Sequence, residues 1–209
     1  MTQPTETMDT HVLSRTAAHL AERYAGIFSP ETVERYVFES YATLSRTARI
    51  RTYLAATAGH FADDRLRALA QSQGKIDKPV AQVLFVCVHN IGRSQIAAAL
   101  LGHYAGDGVE VRSAGSLPGS EIHPLVVAEL AERGIDLSGA YPKPLTDDVV
   151  RAADYVITMG CGDACPVYPG KRYLDWGIAD PSQETLEGVR EIVEAIDTRV
   201  QALWDQIRN

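Results

Sequence analysis

The stretch Val83-Leu84-Phe85-Val86-Cys87-Val88-His89-Asn90-Ile91-Gly92-Arg93-Ser94 is the most informative part of this 209-residue chain. Its first four residues are apolar, as in a buried strand, and the residues from Gln95 to Leu101 have the composition of a helix. A turn from strand to helix points several unpaired backbone N–H groups at one spot, where the helix dipole adds positive potential. The sequence therefore predicts an anion-binding loop formed by Val88, His89, Asn90, Ile91, Gly92, Arg93 and Ser94.

Cys87 and Arg93 suggest what this loop does with an anion. A planar guanidinium can hold two oxygens of a phosphate-like group. The same positive potential favours the thiolate form of Cys87, which is the nucleophilic form, and Ser94 can donate a hydrogen bond to the sulfur. The spacing also fits a buried cysteine at a strand end beside an unrelated arginine. The strand before the loop and the helix after it favour the nucleophile.

Asp180 is a candidate general acid. It lies in the loop-like stretch Gly177–Pro181 before a long helix, and catalytic groups are often carried by loops on a rigid scaffold. The alternative is a solvated turn aspartate before a proline.

The second part of the chain alternates between strand and helix patterns. This alternation predicts an α/β fold, a three-layer sandwich with a small parallel sheet whose ligand site lies at the carboxyl ends of the strands. The predicted strands are 82–88, 109–113, 155–159 and 172–174, and the predicted helices are 93–105, 124–133, 147–152 and 185–207.

An all-α three-helix bundle is predicted before this domain. After an irregular start, apolar residues at helical spacing indicate one helix, and Ser29-Pro30-Glu31 reads as the cap and first turn of a second. A third segment runs from about Arg51 to Gln71, with a kink near Gly59. The apolar positions of the first two helices are Val12, Leu13, Ala17, Leu20, Ala21, Tyr24, Val33, Val37, Tyr41 and Leu44.

The polar linker 73–79 places the predicted domain boundary between residues 78 and 79, giving domains 1–78 and 79–209. A bundle of this size has a limited core, so we expect a homodimer formed through it. A monomeric cap folded on the second domain is equally compatible with the sequence.

Composition limits the classes of function. The first ten residues are polar and no apolar run is long enough to span a bilayer, so we expect no signal peptide, no membrane span and a cytoplasmic location. Three cysteines, an odd number, favour redox or nucleophilic work over a disulfide framework. Residues 1–78 carry 10 Lys+Arg and 9 Asp+Glu, and residues 79–209 carry 10 and 18. The acidic second domain disfavours nucleic acid as a partner, and the near-neutral bundle disfavours a DNA-reading helix-turn-helix.

From about Val80 onward the chain resembles the low-molecular-weight phosphotyrosine phosphatase superfamily, specifically its arsenate reductase branch. The resemblance implies that Cys87 is the nucleophile, that Arg93 and the loop bind the oxyanion, and that Asp180 protonates the leaving oxygen. It also implies that Asn90 shapes the anion cradle and that Ser113 supports it. Besides the loop, the matching segments are Arg112–Ser116, His123-Pro124, Gly134–Leu137, Ala153–Met159 and Asp180-Pro181.

Cys161 and Cys165 follow the strand at 155–159. By resemblance to thioredoxin-linked arsenate reductases they form a relay, in which Cys161 attacks the Cys87 sulfur, arsenite leaves, and Cys165 then attacks Cys161. Their spacing is tighter than in the best-known relatives of this kind, which leaves the order of attack open. Two cysteines could also be half of a zinc site, but none of the six histidines has metal spacing with them, so no metal is predicted.

The resemblance also implies a substrate and a reductant. Tyrosine phosphatases of this superfamily have aromatic residues after the Asp-Pro pair, whereas this chain has Ser182 and Gln183. A polar pocket favours arsenate, with phosphate or sulfate as competitors. No cofactor is expected to be bound, and without a glutamate in 96–100 no potassium dependence is expected.

The expected role is arsenic detoxification with an external thiol reductant, either thioredoxin or mycothiol with mycoredoxin. Three alternatives remain open. The chain could be a low-molecular-weight tyrosine phosphatase, a single-cysteine arsenate–mycothiol transferase, or a non-enzymatic oxyanion sensor.

Overall fold

The computed structural model describes residues 4–49, 51–160 and 165–209. The chain forms two compact units, Met1–Asp77 and Lys78–Asn209. No helix in the described ranges is both long and apolar enough to cross a membrane.

The first unit is the predicted bundle of three helices. They are α1 (Pro4–Arg23), α2 (Pro30–Ser45) and α3 (Leu54–Ser72). The Thr32 N–H donates to the Ser29 side chain at 3.3 Å, which confirms the predicted cap of α2. Two details of the prediction are wrong, since α1 already begins at Pro4 and Val12 is 41% exposed. The buried apolar residues of α1 and α2 are Leu13, Ala17, Leu20, Val33, Val37 and Leu44, with Tyr24 just after α1.

Gly59 has a different role from the predicted kink. Helix α3 runs without a break from Leu54 to Ser72, three residues later than the predicted start at Arg51. A Cβ atom on Gly59 would lie 2.8 Å from Cγ2 of Thr16 on α1. The glycine therefore allows two helices to approach closely, which explains why a poor helix former is found inside a helix.

The second unit contains a four-stranded parallel sheet in the order β2-β1-β3-β4, which confirms the predicted α/β fold. The strands are β1 (Ala81–Cys87), β2 (Val109–Gly115), β3 (Tyr155–Met159) and β4 (Arg172–Asp175). The helices are α4 (Arg93–Ala105), α5 (Pro124–Glu132), α6 (Asp147–Ala152) and α7 (Leu186–Arg208).

The central strand β1 carries the candidate nucleophile at its end. Residues 82–87 are all buried, as expected for a parallel strand covered on both faces. The register pairs Cys87 with Gly115 on β2 and with Met159 on β3. The end of β1 is therefore fixed from both sides.

Helices α4 and α7 pack against each other beside the sheet, and α5 packs on α7. The stripe predicted on α7 is confirmed as core from Val189 to Leu203, with Leu186 partly exposed. The buried carboxylate of Glu129 accepts hydrogen bonds from Arg133 at 2.9 Å and from Arg190 at 3.0 Å. This shared carboxylate ties α5 to α7, because a buried charge is stable only when it is paired.

The close approach of α1 and α3 predicts the effect of filling the space at Gly59. Gly59→Val should lower the free energy of unfolding by about 1–3 kcal/mol, since the added side chain overlaps Thr16. Urea denaturation measures this loss. Ala56→Val, at an exposed position of the same helix, controls for placing a β-branched residue in α3, and a loss in Gly59→Val no larger than that in Ala56→Val would contradict the close approach. Adding Thr16→Ala should restore part of the loss in Gly59→Val.

Candidate active site

In residues 87–94, called the Cys87 loop below, the backbone carbonyl oxygens of residues 87–92 accept hydrogen bonds from donors around the loop. The segment that follows β2 supplies four backbone N–H donors to these carbonyls, at 2.8–3.1 Å. Because the carbonyl dipoles are engaged away from the loop centre, the positive ends of the peptide units can face an anion there. The bonds run from Ser116 to Cys87, from Leu117 to Val88, from Gly119 to His89 and from His123 to Ile91.

Asn90 sets the bend of the loop. Its φ of 52° lies in the left-handed region, and no other non-glycine residue in the described ranges has a positive φ. Asparagine tolerates this conformation better than most residues. Its side chain is fully buried, donates to Ser94 Oγ at 2.8 Å and accepts from the Lys143 N–H at 2.7 Å. The side chain and the backbone of Asn90 therefore both shape the cradle.

Gln95 also holds the loop, a role that the sequence pattern did not predict. Its Nε2 atom donates to Asn90 O at 3.1 Å, to Asn90 Oδ1 at 3.0 Å and to Tyr141 O at 3.0 Å. The side chain is only 3% exposed. One signal was present in the sequence, since Gln95 is a polar residue directly before the apolar run Ile96–Leu101.

Two hydrogen-bond donors converge on the sulfur of Cys87, which is only 2% exposed. The Asn90 N–H donates to Sγ at 3.2 Å, and Ser94 Oγ lies 3.0 Å from Sγ. Because the Ser94 oxygen already accepts from Asn90, its own proton is available to the sulfur. Both donors can therefore hydrogen-bond to the sulfur from inside the loop.

Arg93 is held at the mouth of the loop by the segment that contains Asp180. Its Nη2 atom lies 2.7 Å from Asp180 Oδ2, and Nη1 donates to Ile178 O at 3.3 Å. The Arg93 side chain is 9% exposed and that of Asp180 is 40% exposed. In this state a carboxylate of the protein takes the place that an oxyanion would take on the guanidinium.

The surroundings of Asp180 favour its ionised form. Partial burial raises the pKa of its carboxyl group, but the hydrogen bonds from Ser182 and the charges of Arg93 and His89 lower the pKa overall. Asp180 is therefore a carboxylate at neutral pH in this state. It can act as an acid only after a change in its environment restores its affinity for a proton.

Six of the predicted residues line one small cavity of about 10 Å³. Its floor contains the Cys87 sulfur, and Asp180 and Arg93 stand on its rim. The same segment also closes on the loop, because a Cβ atom on Gly92 would lie only 2.5 Å from Cγ of Pro181. The cavity is lined by Cys87, His89, Ile91, Gly92, Arg93 and Asp180.

The other predicted site residues do not line this cavity, and one of them lies outside the described residues. Ser113 is buried on β2 opposite Phe85, and within the described ranges no hydrogen bond joins its side chain to the Cys87 loop. Cys165 is buried, and its Sγ lies 3.9 Å from Pro166 O. Cys161 lies outside the described residues. Residues 182 and 183 lie in a short 3₁₀ turn, Pro181–Gln183, that Asp180 caps by accepting from the Ser182 N–H at 3.0 Å.

A parallel α/β unit whose central strand ends in a Cys-x5-Arg-Ser loop defines a class of protein, and comparison with known families identifies it. The chain belongs to the low molecular weight phosphotyrosine protein phosphatase family, whose model matches residues 82–209. A second family model, a protein-tyrosine-phosphatase-like N-terminal domain, matches residues 13–70. The family resemblance predicted from the sequence is confirmed.

Individual relatives point to one branch of the family. The chain is 61% identical to a Corynebacterium glutamicum thioredoxin-dependent arsenate reductase, with a TM-score of 0.86 over 95% of this chain and 97% of that one. It is 35% identical over 127 residues to a putative arsenate reductase of Halobacterium salinarum, covering 58% of this chain and 89% of the relative. It is also 32% identical over 142 residues to a probable low molecular weight protein-tyrosine-phosphatase of Ralstonia nicotianae, covering 62% and 97%.

The two roles of Asn90 can be separated by two substitutions. Asn90→Gly keeps the left-handed backbone but loses the side-chain bonds, and Asn90→Ala loses both. We expect both variants to bind phosphate more weakly, measured as protection of Cys87 from iodoacetamide. Asn90→Ala should also be less stable than Asn90→Gly by about 1–2 kcal/mol in thermal denaturation. Equal stability of the two variants would show that the positive φ carries no strain.

The Arg93–Asp180 pair predicts competition with an anion. Asp180→Asn should bind sulfate more tightly, because the carboxylate no longer competes for the Arg93 guanidinium. The gain should be only about two- to fivefold, because solvent screens an ion pair that is this exposed. Without an anion the pKa of the Asp180 carboxyl is lowered. If a bound anion displaces Asp180 from Arg93 and raises its affinity for a proton, sulfate binding takes up a proton, and the advantage of Asp180→Asn over the unmodified protein should shrink as the pH falls from about 8 to about 5.

Asp175→Asn removes the same charge from a carboxylate that bonds Thr158 instead of Arg93, and serves as the control. Isothermal titration with sulfate, which keeps its charge over this range, measures all three proteins. An affinity ratio that stays constant across the range would contradict a rise in the proton affinity of Asp180 on anion binding.

Proposed function

We propose that this protein reduces arsenate to arsenite through a covalent Cys87 adduct and a relay of Cys161 and Cys165 that thioredoxin re-reduces. The observation that carries the proposal is the convergence of Cys87, Arg93 and Asp180 on one small cavity. The arsenate reductase names of its relatives support the substrate, and the thioredoxin-dependent neighbour supports the reductant.

The first step is attack of the Cys87 thiolate on arsenic. We propose that the incoming oxyanion takes over Arg93 from Asp180. The carboxylate then faces negative charge without its cationic partner, so its affinity for a proton rises. Asp180 can accept a proton and deliver it to the leaving oxygen, which departs as water and leaves a Cys87–S–As(V) adduct. The amides of the Cys87 loop stabilise the charge on the remaining oxygens.

The second step supplies two electrons. Cys161 attacks the Cys87 sulfur, a disulfide forms between them, and the electron pair of the S–As bond stays on arsenic, which leaves as arsenite. Cys165 then attacks Cys161 and releases Cys87 as a thiolate. The resulting Cys161–Cys165 disulfide is reduced by thioredoxin, which is itself oxidised. Ser94 can assist by donating to the departing Cys87 thiolate, because Ser94 Oγ lies 3.0 Å from the sulfur.

Phosphatase activity is the second candidate function. Hydrolysis of a phosphocysteine needs the same loop, arginine and aspartate but no second thiol, and the Ralstonia relative supports this alternative. Ser182 and Gln183 disfavour it for aromatic substrates, because they leave the rim without an aromatic wall.

We further propose a cytoplasmic location, where thiols are kept reduced, and a homodimer formed through the bundle. The support for a dimer is the size of the bundle, whose 77 residues form a compact unit of their own. Small domains of this kind bury a low fraction of their surface unless a partner covers more of it.

Cysteine variants test the mechanism by following NADPH consumption with arsenate, thioredoxin and thioredoxin reductase. Cys87→Ser should make no arsenite, because the adduct cannot form. Cys165→Ser should release one arsenite per chain and then stop, with a Cys87–Cys161 disulfide visible by mass spectrometry. Both variants can be checked for folding by circular dichroism.

The same assay separates the alternatives. Undiminished turnover of Cys165→Ser with mycothiol and mycoredoxin would indicate a single-cysteine transferase. Hydrolysis of p-nitrophenyl phosphate that exceeds arsenate turnover would indicate a phosphatase. Arsenite production by Cys87→Ser would rule out the proposed nucleophile.

A further inference from the structure

Cys165 lies at the start of a segment that is fixed by one tyrosine. The hydroxyl of Tyr173, on β4, donates to Pro166 O at 3.2 Å and accepts from the Tyr168 N–H at 2.9 Å. The Tyr173 hydroxyl therefore bridges the backbone of Pro166 and Tyr168, immediately after Cys165. These two hydrogen bonds restrict the backbone of residues 166–168.

The Cys165 thiol is connected to this bridge. Its Sγ lies 3.9 Å from Pro166 O, the same carbonyl that accepts from Tyr173. The ring of Pro166 fixes its own φ, so little backbone freedom remains between the carbonyl and Cys165. Burial and the nearby Cys165 raise the pKa of the Tyr173 phenol, which agrees with this proximity and keeps the hydroxyl protonated as a donor.

Neighbouring contacts hold the rest of the segment. The Arg151 guanidinium lies over the Tyr168 ring at 4.2 Å, and Lys171 Nζ donates to Arg151 O at 2.6 Å and to Ala153 O at 2.7 Å. These contacts attach the segment to the end of α6 and to the start of β3. The tyrosine hydroxyl is thus one link between this anchored segment and the cysteine.

We propose that Tyr173 is a positioning residue for the thiol relay, whose hydroxyl holds Cys165 in its buried place and limits how often the thiol becomes accessible. The inference rests on the proposed function for its purpose, since only a relay needs Cys165 to be withheld and then presented. The accessibility of the Cys165 thiol can nevertheless be measured without arsenate. With 8% of its surface exposed, Cys165 must move before another protein can reduce a disulfide that contains it.

Tyr173→Phe removes both bonds and keeps the ring. We expect iodoacetamide to alkylate Cys165 about fivefold faster, as follows from the loss of roughly one net hydrogen bond from a local opening equilibrium. The rate is measured on the reduced full-length chain in a Cys161→Ser background, so that only Cys87 and Cys165 react. Alkylation of Cys87 serves as the internal reference and should be unchanged.

Tyr155→Phe is the matched control. Its hydroxyl on β3 accepts a hydrogen bond from Arg172 at 3.2 Å, and in the part of the chain that the structure describes it makes no hydrogen bond to residues 165–168. It should leave the Cys165 rate unchanged. An unchanged rate in Tyr173→Phe, or an equal rise in both variants, would overturn the proposal.

Hydrogen exchange of the Tyr168 amide gives a second, independent test. This N–H donates to Tyr173, so it should exchange several-fold faster in Tyr173→Phe and be unaffected in Tyr155→Phe. Equal exchange in all three proteins would show that the bridge is not formed in solution. Neither test uses arsenate. A negative result in both tests would therefore not contradict the proposed reductase activity, and a lack of arsenite production would not contradict the role proposed for Tyr173.

Discussion

The carbonyl oxygens of residues 87–92 all have hydrogen-bond donors that do not belong to the anion site. Four are bonded by the segment after β2, that of Asn90 by the Gln95 side chain, and that of Gly92 by the Ile96 N–H. A single peptide that turned over would place a negative carbonyl end where the substrate charge must lie. The chemistry proposed for Cys87 therefore depends on a backbone orientation that is maintained mainly by residues outside the loop.

The ion pair between Arg93 and Asp180 gives the resting site an internal substitute for its ligand. Such a pair keeps the guanidinium from being buried without a counter-charge, and it holds the Asp180 segment over the cavity. Its cost is that binding must break an existing contact. In the proposed mechanism, arrival of the anion raises the proton affinity of Asp180 at the step that needs an acid. Anion binding and acid formation would then be coupled through the Arg93 guanidinium.

Sequence patterns predicted the second unit well because its signals are local. The limits of α4, α6 and β3 agree with the predicted ranges, since each element begins and ends at residues with clear preferences. Cys87, Arg93 and Asp180 were all identified as site residues, and the structure brings them together.

The features that the sequence did not reveal depend on contacts between distant segments. Gln95 is an unremarkable helix residue until Asn90 and Tyr141 are placed beside it. The pairing of Arg93 with Asp180 joins residues 87 positions apart. Gly59 was interpreted as a kink because local propensity contains no information about Thr16 on another helix. In each case tertiary packing determines the role.

The contact between Gly92 and Pro181 links the Cys87 loop to the segment that carries Asp180 by shape alone. With 2.5 Å between a Cβ at position 92 and the proline ring, neither position can change size independently. Homologous chains with a larger side chain at position 92 must therefore carry a smaller residue at position 181 or a displaced acid segment. Covariation of these two positions across the family would record that steric dependence, and grafting one segment without the other should misplace the carboxylate.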